Sequence, residues 1–426
     1  MANLTEPTRS YRLTAAQQLY VDVCMPKFSI NSWCNVQTVQ QVERDLSVRE
    51  LERAITSIAS RQQALLSSFK KNEDKLVQIL SSPEELQRCL DIKSVDLSTL
   101  SQEIADGKVE DLRISLIATP ISPFVFPLFR LTLVRLPQGA CIFAVFHHLI
   151  MDGYAKTIFS SELKETLLGV DLPPLEYCYL DYLNSPETYL SSAADHIHYW
   201  KSRLAGITQF HIRKPTTEAT SASFTFPFDA ETKAALKILR PHFGCTDFAI
   251  VTAAMTQTLA KHLRRNEISA LVPVLGRDGH ELLELVGNFF KLLPLRFQDV
   301  KNSSFSKLLR CAIDQISDGL NHLDLSFAEL ANTADCTIGE ELLPISTVLF
   351  NQDNRPTPAP RHAIHREGGR LVRYELQSFV VYWQDSMGLE LSYRSSIFSN
   401  SEIEQIAKSV SDAVKQARTE LETDTA

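Results

Sequence analysis

The run Ala140-Cys141-Ile142-Phe143-Ala144-Val145-Phe146 constrains this chain more than any other stretch. An unbroken apolar run of that length, rich in β-branched and aromatic residues, reads as a buried strand. It ends in His147-His148-Leu149-Ile150-Met151-Asp152-Gly153, an HHxxxDG pattern. Two imidazoles therefore leave a rigid strand and enter a turn that holds a carboxylate and a glycine. Histidine is the side chain best suited to exchanging a proton near neutral pH. A histidine pair alone is more often satisfied by core hydrogen bonds. The fixed offsets of Asp152 and Gly153 shift the weight toward a site, because four such positions arise by chance in roughly one chain in a thousand of this length.

The 426 residues exceed what one simple core serves and point to two lobes. Tyr154, Ile158, Leu163 and Leu167 form a helical stripe after the HHxxxDG turn, stopped at Gly169. Pro173-Pro174 then marks the boundary, giving an N-terminal lobe over 1–172 that carries HHxxxDG and a C-terminal lobe over 173–426. The net charge of −8 and scattered basic residues exclude a nucleic-acid partner, which needs a concentrated basic face. Eight cysteines, Cys24, Cys34, Cys89, Cys141, Cys178, Cys245, Cys311 and Cys336, form no CxxC pair. Reduced, buried thiols and a cytoplasmic location are expected. No stretch approaches the roughly 20 apolar residues of a membrane span, and Met1 to Ser10 lacks a signal-peptide core.

The remaining pattern mixes strands and helices. Asn35–Val42 reads as a strand, and Ser47 with Glu50 as a capping box opening a helix whose buried face includes Leu51, Ile55, Ile58 and Leu65. Pro137-Gln138-Gly139 reads as a hairpin turn into the apolar run. Helices are expected over 195–204, 231–242 and 247–265, and after a second box at Ser399 and Glu402. Strands are expected over 268–274, 289–297, 345–350 and 389–393, and an exposed loop over 356–366. No GxGxxG, GxxxxGK[ST] or GxSxG occurs, which removes the usual marks of dinucleotide, P-loop and serine-hydrolase chemistry. His280-Glu281-Leu282-Leu283-Glu284 lacks the second histidine of a zinc motif, so no metal site is expected.

These residues resemble the condensation domains of nonribosomal peptide synthetases, within the chloramphenicol acetyltransferase-like HHxxxDG superfamily. Beside HHLIMDG, Leu13-Thr14-Ala15-Ala16-Gln17-Gln18 resembles the family's opening LTxAQ motif. The stretch from Arg61 to Phe69 resembles a degenerate RHxxLRTxF, with Gln62 for His, Leu66 for Arg and Ser67 for Thr. Tyr199-Trp200 with Leu204 and Gly206 resembles YW…L.G. Gly276-Arg277 and Gly287 to Arg296 resemble GR … GxFxNxLPLR, with Lys291 for the Asn.

The resemblance implies an α/β fold: two chloramphenicol acetyltransferase-like lobes in a V-shaped pseudo-dimer with a central tunnel. It implies condensation of a carrier-protein thioester-bound acyl, aminoacyl or peptidyl donor with an amine or hydroxyl acceptor. Acyl or peptidyl carrier proteins are the implied partners, supplying the phosphopantetheine arm, and no intrinsic cofactor is needed. A monomer is expected. The implied site is His148, Gly153, His147 and Asp152. His148 takes or holds the nucleophile's proton, or acts by hydrogen bonding, and His147 orients it. Gly153 either offers its backbone amide to the oxyanion or merely allows the turn. Asp152 is expected to pair with Arg277 and fix the loop, as the corresponding residues do in relatives. Two alternatives share the fold: an acyl-CoA-dependent acyltransferase, against which stands the missing DFGWG motif, and a catalytically silent docking domain, against which stands the intact HHxxxDG. Epimerisation domains usually continue with Ser-Trp after the glycine, where this chain has Tyr154-Ala155.

Overall fold

The computed structural model describes residues 10–25, 28, 30–73, 75–185, 194–207, 221–323, 347–354, 359–367 and 374–424. Cys336 and the side chain of Cys24 lie outside that set, as do residues 345–346 and 356–358 of the expected strand and loop. The chain divides into two compact units. One comprises Met1–Leu190 with Leu275–Phe290, the other Ser191–Val274 with Lys291–Ala426.

The first unit runs β1 (Ser10–Arg12), α1 (Ala15–Cys24), β2 (Asn35–Val42), α2 (Val48–Arg61), β3 (Ser67–Asn72), β4 (Lys75–Leu80), α3 (Pro83–Cys89), β5 (Ile92–Asp96), α4 (Gln102–Ala118), β6 (Phe129–Arg135), β7 (Ala140–His147), α5 (Ala155–Leu167) and α6 (Tyr179–Asn184). A four-stranded sheet has the order β2–β7–β6–β5, and a second of three strands the order β1–β4–β3. Strand β7 pairs antiparallel with both neighbours, Asn35 opposite His147 and Phe129 opposite Phe146. Every residue of β7 is buried, as its composition requires. Phe143, Phe146 and Phe159 are each about 1 % exposed or less. Burying a side chain of that size contributes about 1.5–3 kcal/mol, so the strand that delivers the two histidines is firmly seated. The turn before it needs Gly139: φ is +83°, and a Cβ there would meet the Val42 carbonyl oxygen at 2.1 Å.

The second unit runs α7 (Ala194–Leu204), β8 (Ser221–Pro227), α8 (Ala230–Phe243), α9 (Asp247–His262), β9 (Ile268–Val274), β10 (Lys291–Phe297), α10 (Phe305–Leu320), β11 (Thr347–Asn354), β12 (Ile364–Glu367), β13 (Leu376–Tyr382), β14 (Met387–Arg394) and α11 (Asn400–Asp424). Its seven-stranded sheet has the order β10–β9–β11–β13–β14–β8–β12. Strand β11 runs parallel to both β9 and β13, and the other pairings are antiparallel. The mostly buried α9 and the capped α11 match the sequence pattern.

Four expectations change. The boundary moves from 172/173 to 190/191, because Tyr179 and Leu183 of α6 share a small core with Ala64, Leu285 and Phe289 of the first unit. The expected loop over 356–366 ends in β12, which pairs with β8. The expected strand over 289–297 starts only at Lys291, because the Phe289 amide is taken by a carboxylate rather than a neighbouring strand. Thiol burial is also mixed: Cys34 and Cys141 are buried, Cys89 is exposed, and Cys178, Cys245 and Cys311 are intermediate.

Candidate active site

The HHxxxDG residues and Arg277 all belong to the first unit. Strand β7 ends at His147, and His148–Ile150 make a single 3-10 turn. His147 is 1 % exposed. Its Nδ1 accepts the Leu149 amide at 3.1 Å. Accepting at Nδ1 places the proton of the neutral ring on Nε2. Burial pushes its pKa down to about 3, so the ring is uncharged near neutral pH. His147 therefore shapes the turn and holds no exchangeable charge. His148 is the partly exposed member of the pair. Among the residues singled out for proton transfer, it is the one with access to solvent.

Asp152 is 3 % exposed and bound on every side. Its Oδ1 accepts the Ala155 amide at 2.7 Å, capping α5. Arg277 donates through Nη2 to Oδ1 at 3.0 Å and to Oδ2 at 3.2 Å. Oδ2 also accepts the Phe289 amide at 3.0 Å, and the Asp152 amide donates to the Gly287 carbonyl at 2.9 Å. The Arg277 side chain is fully buried. Its Nη1 donates to the carbonyls of Leu282 and Leu285 at 2.7 and 3.0 Å. The guanidinium lies 4.3 Å from the Phe289 ring centroid and 5.0 Å from that of Tyr154. Burial draws the Arg277 pKa below its ordinary value, and Asp152 opposes that shift. The pair that the resemblance implied is thus a buried lock between the HHxxxDG turn and the 275–290 segment. Removing one partner of such a pair typically costs about 3–5 kcal/mol.

Two further side chains brace the same elements. Gln17, in the opening motif, completes a capping box with Thr14 through Oε1 and reaches the Leu149 carbonyl with Nε2 at 3.2 Å. Gln62, standing where the family pattern has His, donates to Glu162 Oε1 at 2.6 Å and to the Glu284 carbonyl at 2.9 Å. Its Oε1 accepts the Val286 amide at 2.7 Å. A neutral amide offers both donors and an acceptor, so Gln62 ties α5 to the 284–286 segment without adding charge. Arg61 pairs with the same Glu162 oxygen. Burial raises the Glu162 pKa, while the Gln62 hydrogen bond and the Arg61 charge lower it.

Gly153 is exposed and its φ is outside the left-handed region. A Cβ built there would meet nothing within 4 Å. Neither backbone strain nor packing among the described residues demands glycine at this position.

Two contacts to His148 were not legible in the motifs. Tyr20 of α1 stacks on its ring, centroids 4.7 Å apart with planes at 28°. Phe290 lies 5.8 Å away at 59°. The only sequence signal was Tyr20's place two residues past the opening motif, on an apolar helix. Among the described residues, no group of three or more His, Cys, Asp or Glu side chains is placed to hold a metal ion, and no helix is long and apolar enough to cross a membrane.

The HHxxxDG turn thus closes an interior strand and is locked to an arginine distant in sequence. The family model for the condensation domain matches residues 8–425, and the chain belongs to that family. It is 24 % identical over 423 residues to tyrocidine synthase 2 of Brevibacillus parabrevis, covering 94 % of this chain and 11 % of that one. It is 22 % identical over 431 residues to bacitracin synthase 1 of Bacillus licheniformis, covering 97 % and 8 %. The chain thus spans about a tenth of the length of these relatives. The fold is similar to a condensation domain that mediates chain release from the enacyloxin polyketide synthase (TM-score 0.71, 17 % identity, 97 % and 84 % covered). It is also similar to the epimerization domain of the third module of tyrocidine synthetase B (0.75, 14 %, 98 % and 99 %) and to the SgcC5 protein of Streptomyces globisporus (0.74, 17 %, 96 % and 98 %).

Proposed function

We propose that this chain condenses a carrier-protein thioester-bound acyl, aminoacyl or peptidyl donor with an amine acceptor, or less readily a hydroxyl, forming an amide or ester. The observation that carries the reading is the division of labour within HHxxxDG. His147 is buried and held neutral with its Nδ1 on the Leu149 amide, and the carboxylate of Asp152 is buried and paired, whereas His148 is partly exposed and Gly153 borders open space. Membership of the condensation family and the likeness to peptide synthases support it.

In this mechanism the incoming amine loses a proton as it attacks the thioester carbonyl. His148 accepts or hydrogen-bonds that proton, help worth about 10²–10⁴ in rate. Negative charge gathers on the carbonyl oxygen, and in this reading the Gly153 amide, with open space where a side chain would stand, donates a hydrogen bond to it. The carbon–sulfur bond then breaks, the proton that left the amine passes to the departing sulfur, and the product leaves the donor carrier as the pantetheine thiol is released. Asp152 and Arg277 touch no substrate and hold the turn in shape. The proposal includes the V-shaped pseudo-dimer with a central tunnel that the resemblance implies, since a carrier-tethered donor and a small-molecule acceptor need separate approaches. It also includes carrier proteins as partners, a cytoplasmic setting, a monomeric chain, and no cofactor beyond the phosphopantetheine on those carriers.

The reading is tested by intact-protein mass spectrometry of candidate loaded carrier proteins, incubated with and without this chain. Transfer of the donor mass that depends on the chain supports it. His148→Ala is expected to abolish transfer at unchanged melting temperature; full turnover in that variant removes His148 from the chemistry. Transfer from acyl-CoA in preference to the acyl carrier would favour the CoA-dependent alternative instead.

A further inference from the structure

The ring of His148 is gripped by two aromatic side chains from distant parts of the sequence. Tyr20 covers one face, with centroids 4.7 Å apart and planes inclined by 28°. Phe290 approaches at 5.8 Å and 59°. Tyr20 and Phe290 also meet each other edge to face, 6.0 Å apart at 87°. The three rings therefore close a triangle in which each touches the other two. Tyr20 is 3 % exposed and part of the first unit's main core, and Phe290 packs against that core.

Both gripping rings hang from the anchors that hold the turn itself. Tyr20 rides on α1, whose Gln17 holds the carbonyl of Leu149, the residue after His148. Phe290 follows Phe289, whose amide is held by Asp152. The backbone anchors alone fix only where the His148 side chain begins. Rotation about the bond to the imidazole has a broad, nearly two-fold profile, so a free ring swings its nitrogens over ångströms. A stacked aromatic face restricts that rotation, because offset stacking favours one inclination of the two planes. A proton acceptor must sit within about 2.6–3.2 Å of its donor, and a misplacement of about 1 Å can cost roughly 10²-fold in rate.

We propose that Tyr20 and Phe290 are positioning residues that act through His148, setting its ring plane so that a ring edge, not a ring face, meets the substrate. The proposal rests on His148 being the group that meets substrate, and the experiment separates the two ideas. Tyr20→Leu removes the stacking face and is expected to lower kcat by about 10²-fold with little change in KM for either substrate. Tyr20→Phe keeps the ring and is expected to retain most of the turnover. In parallel, the His148 ring protons are assigned in aromatic NMR spectra by their loss in His148→Ala. Ring current from a stacked tyrosine moves them upfield; the shift is expected to persist in Tyr20→Phe and collapse in Tyr20→Leu. Phe290→Leu, at the less buried edge of the triangle, serves as a second variant should Tyr20→Leu fold poorly, and is expected to lower kcat in the same direction. Full kcat in the leucine variants, unmoved His148 resonances in Tyr20→Leu, or equal damage from Tyr20→Phe and Tyr20→Leu would each overturn the proposal. If the wild-type chain condenses nothing, the functional reading falls, while the NMR comparison still decides whether the rings hold His148.

Discussion

Asp152 carries four hydrogen bonds from three partners, and truncating it tests whether the HHxxxDG turn is held by the buried lock. Asp152→Ala strips the counter-charge from an Arg277 side chain that has no exposure to water. Leaving such a charge uncompensated costs about 3–5 kcal/mol. The Ala155 and Phe289 amides also lose their acceptor, at about 1–3 kcal/mol each if they stay dry. These costs overlap, because water that reaches one group relieves the others. A net loss of about 4 kcal/mol or more is therefore expected, a large share of the 5–15 kcal/mol typical of a whole domain. Arg277→Met removes the stranded charge while keeping an apolar stem against Phe289. The double variant is expected to be more stable than the sum of the two single losses, by a coupling of about 1–3 kcal/mol. Denaturant melts give the energies, and hydrogen exchange at the Ala155 and Phe289 amides locates the opening. A loss below about 1 kcal/mol in Asp152→Ala, strict additivity, or unchanged exchange at those amides would refute the lock.

Gly153→Ala is expected to leave stability unchanged or raise it by about 0.4–1 kcal/mol, since the added methyl meets nothing and the unfolded chain loses freedom. Turnover should nonetheless fall about 10²-fold, because the methyl fills the space a reacting carbonyl needs; full activity would show that space to be unused. For His147, the folded ring has a pKa of about 3 against an ordinary 6.5. Above pH 6.5 both folded and unfolded chains hold it neutral. Below that, the unfolded chain binds a proton that the folded one refuses, so stability falls by up to about 1.4 kcal/mol per pH unit until about pH 3. His147→Asn removes this titration, and melts from pH 7 to pH 4 should show a shallower slope in the variant than in the wild type; parallel slopes would contradict the buried neutral ring.

Local rules accounted for the elements that depend on local chemistry. Ser47 and Glu50 cap α2 because each satisfies a free amide of the other's turn, and that is readable from spacing. Strand β7 follows from its unbroken apolar run. Leu65 falls just beyond α2, in a 3-10 turn, while still reaching the core, so periodicity located its burial and not its helix. The Asp152–Arg277 pair lies 125 residues apart in sequence and came from resemblance, not from any pattern within the chain. Phe289 looked like a strand residue because its own character is β-like; its amide nevertheless serves Asp152, a partner that no window around position 289 contains. Tyr20 and Phe290 escaped for the same reason, since stacking on His148 is a tertiary event with no periodic signature. Gln62 appeared as a departure from the family pattern, yet its amide is fully used between Glu162, Glu284 and Val286.

The Leu275–Phe290 segment has a bearing on how the chain is made. It interrupts the second unit between β9 and β10, yet it supplies Arg277, Phe289 and Phe290 to the first. On a ribosome the stretch up to residue 190 emerges with its HHxxxDG turn lacking its latch. That turn can be secured only after synthesis has passed residue 290, deep within the sequence of the other unit. Cutting the gene at the 190/191 junction would accordingly yield an N-terminal fragment with an unmatched Asp152.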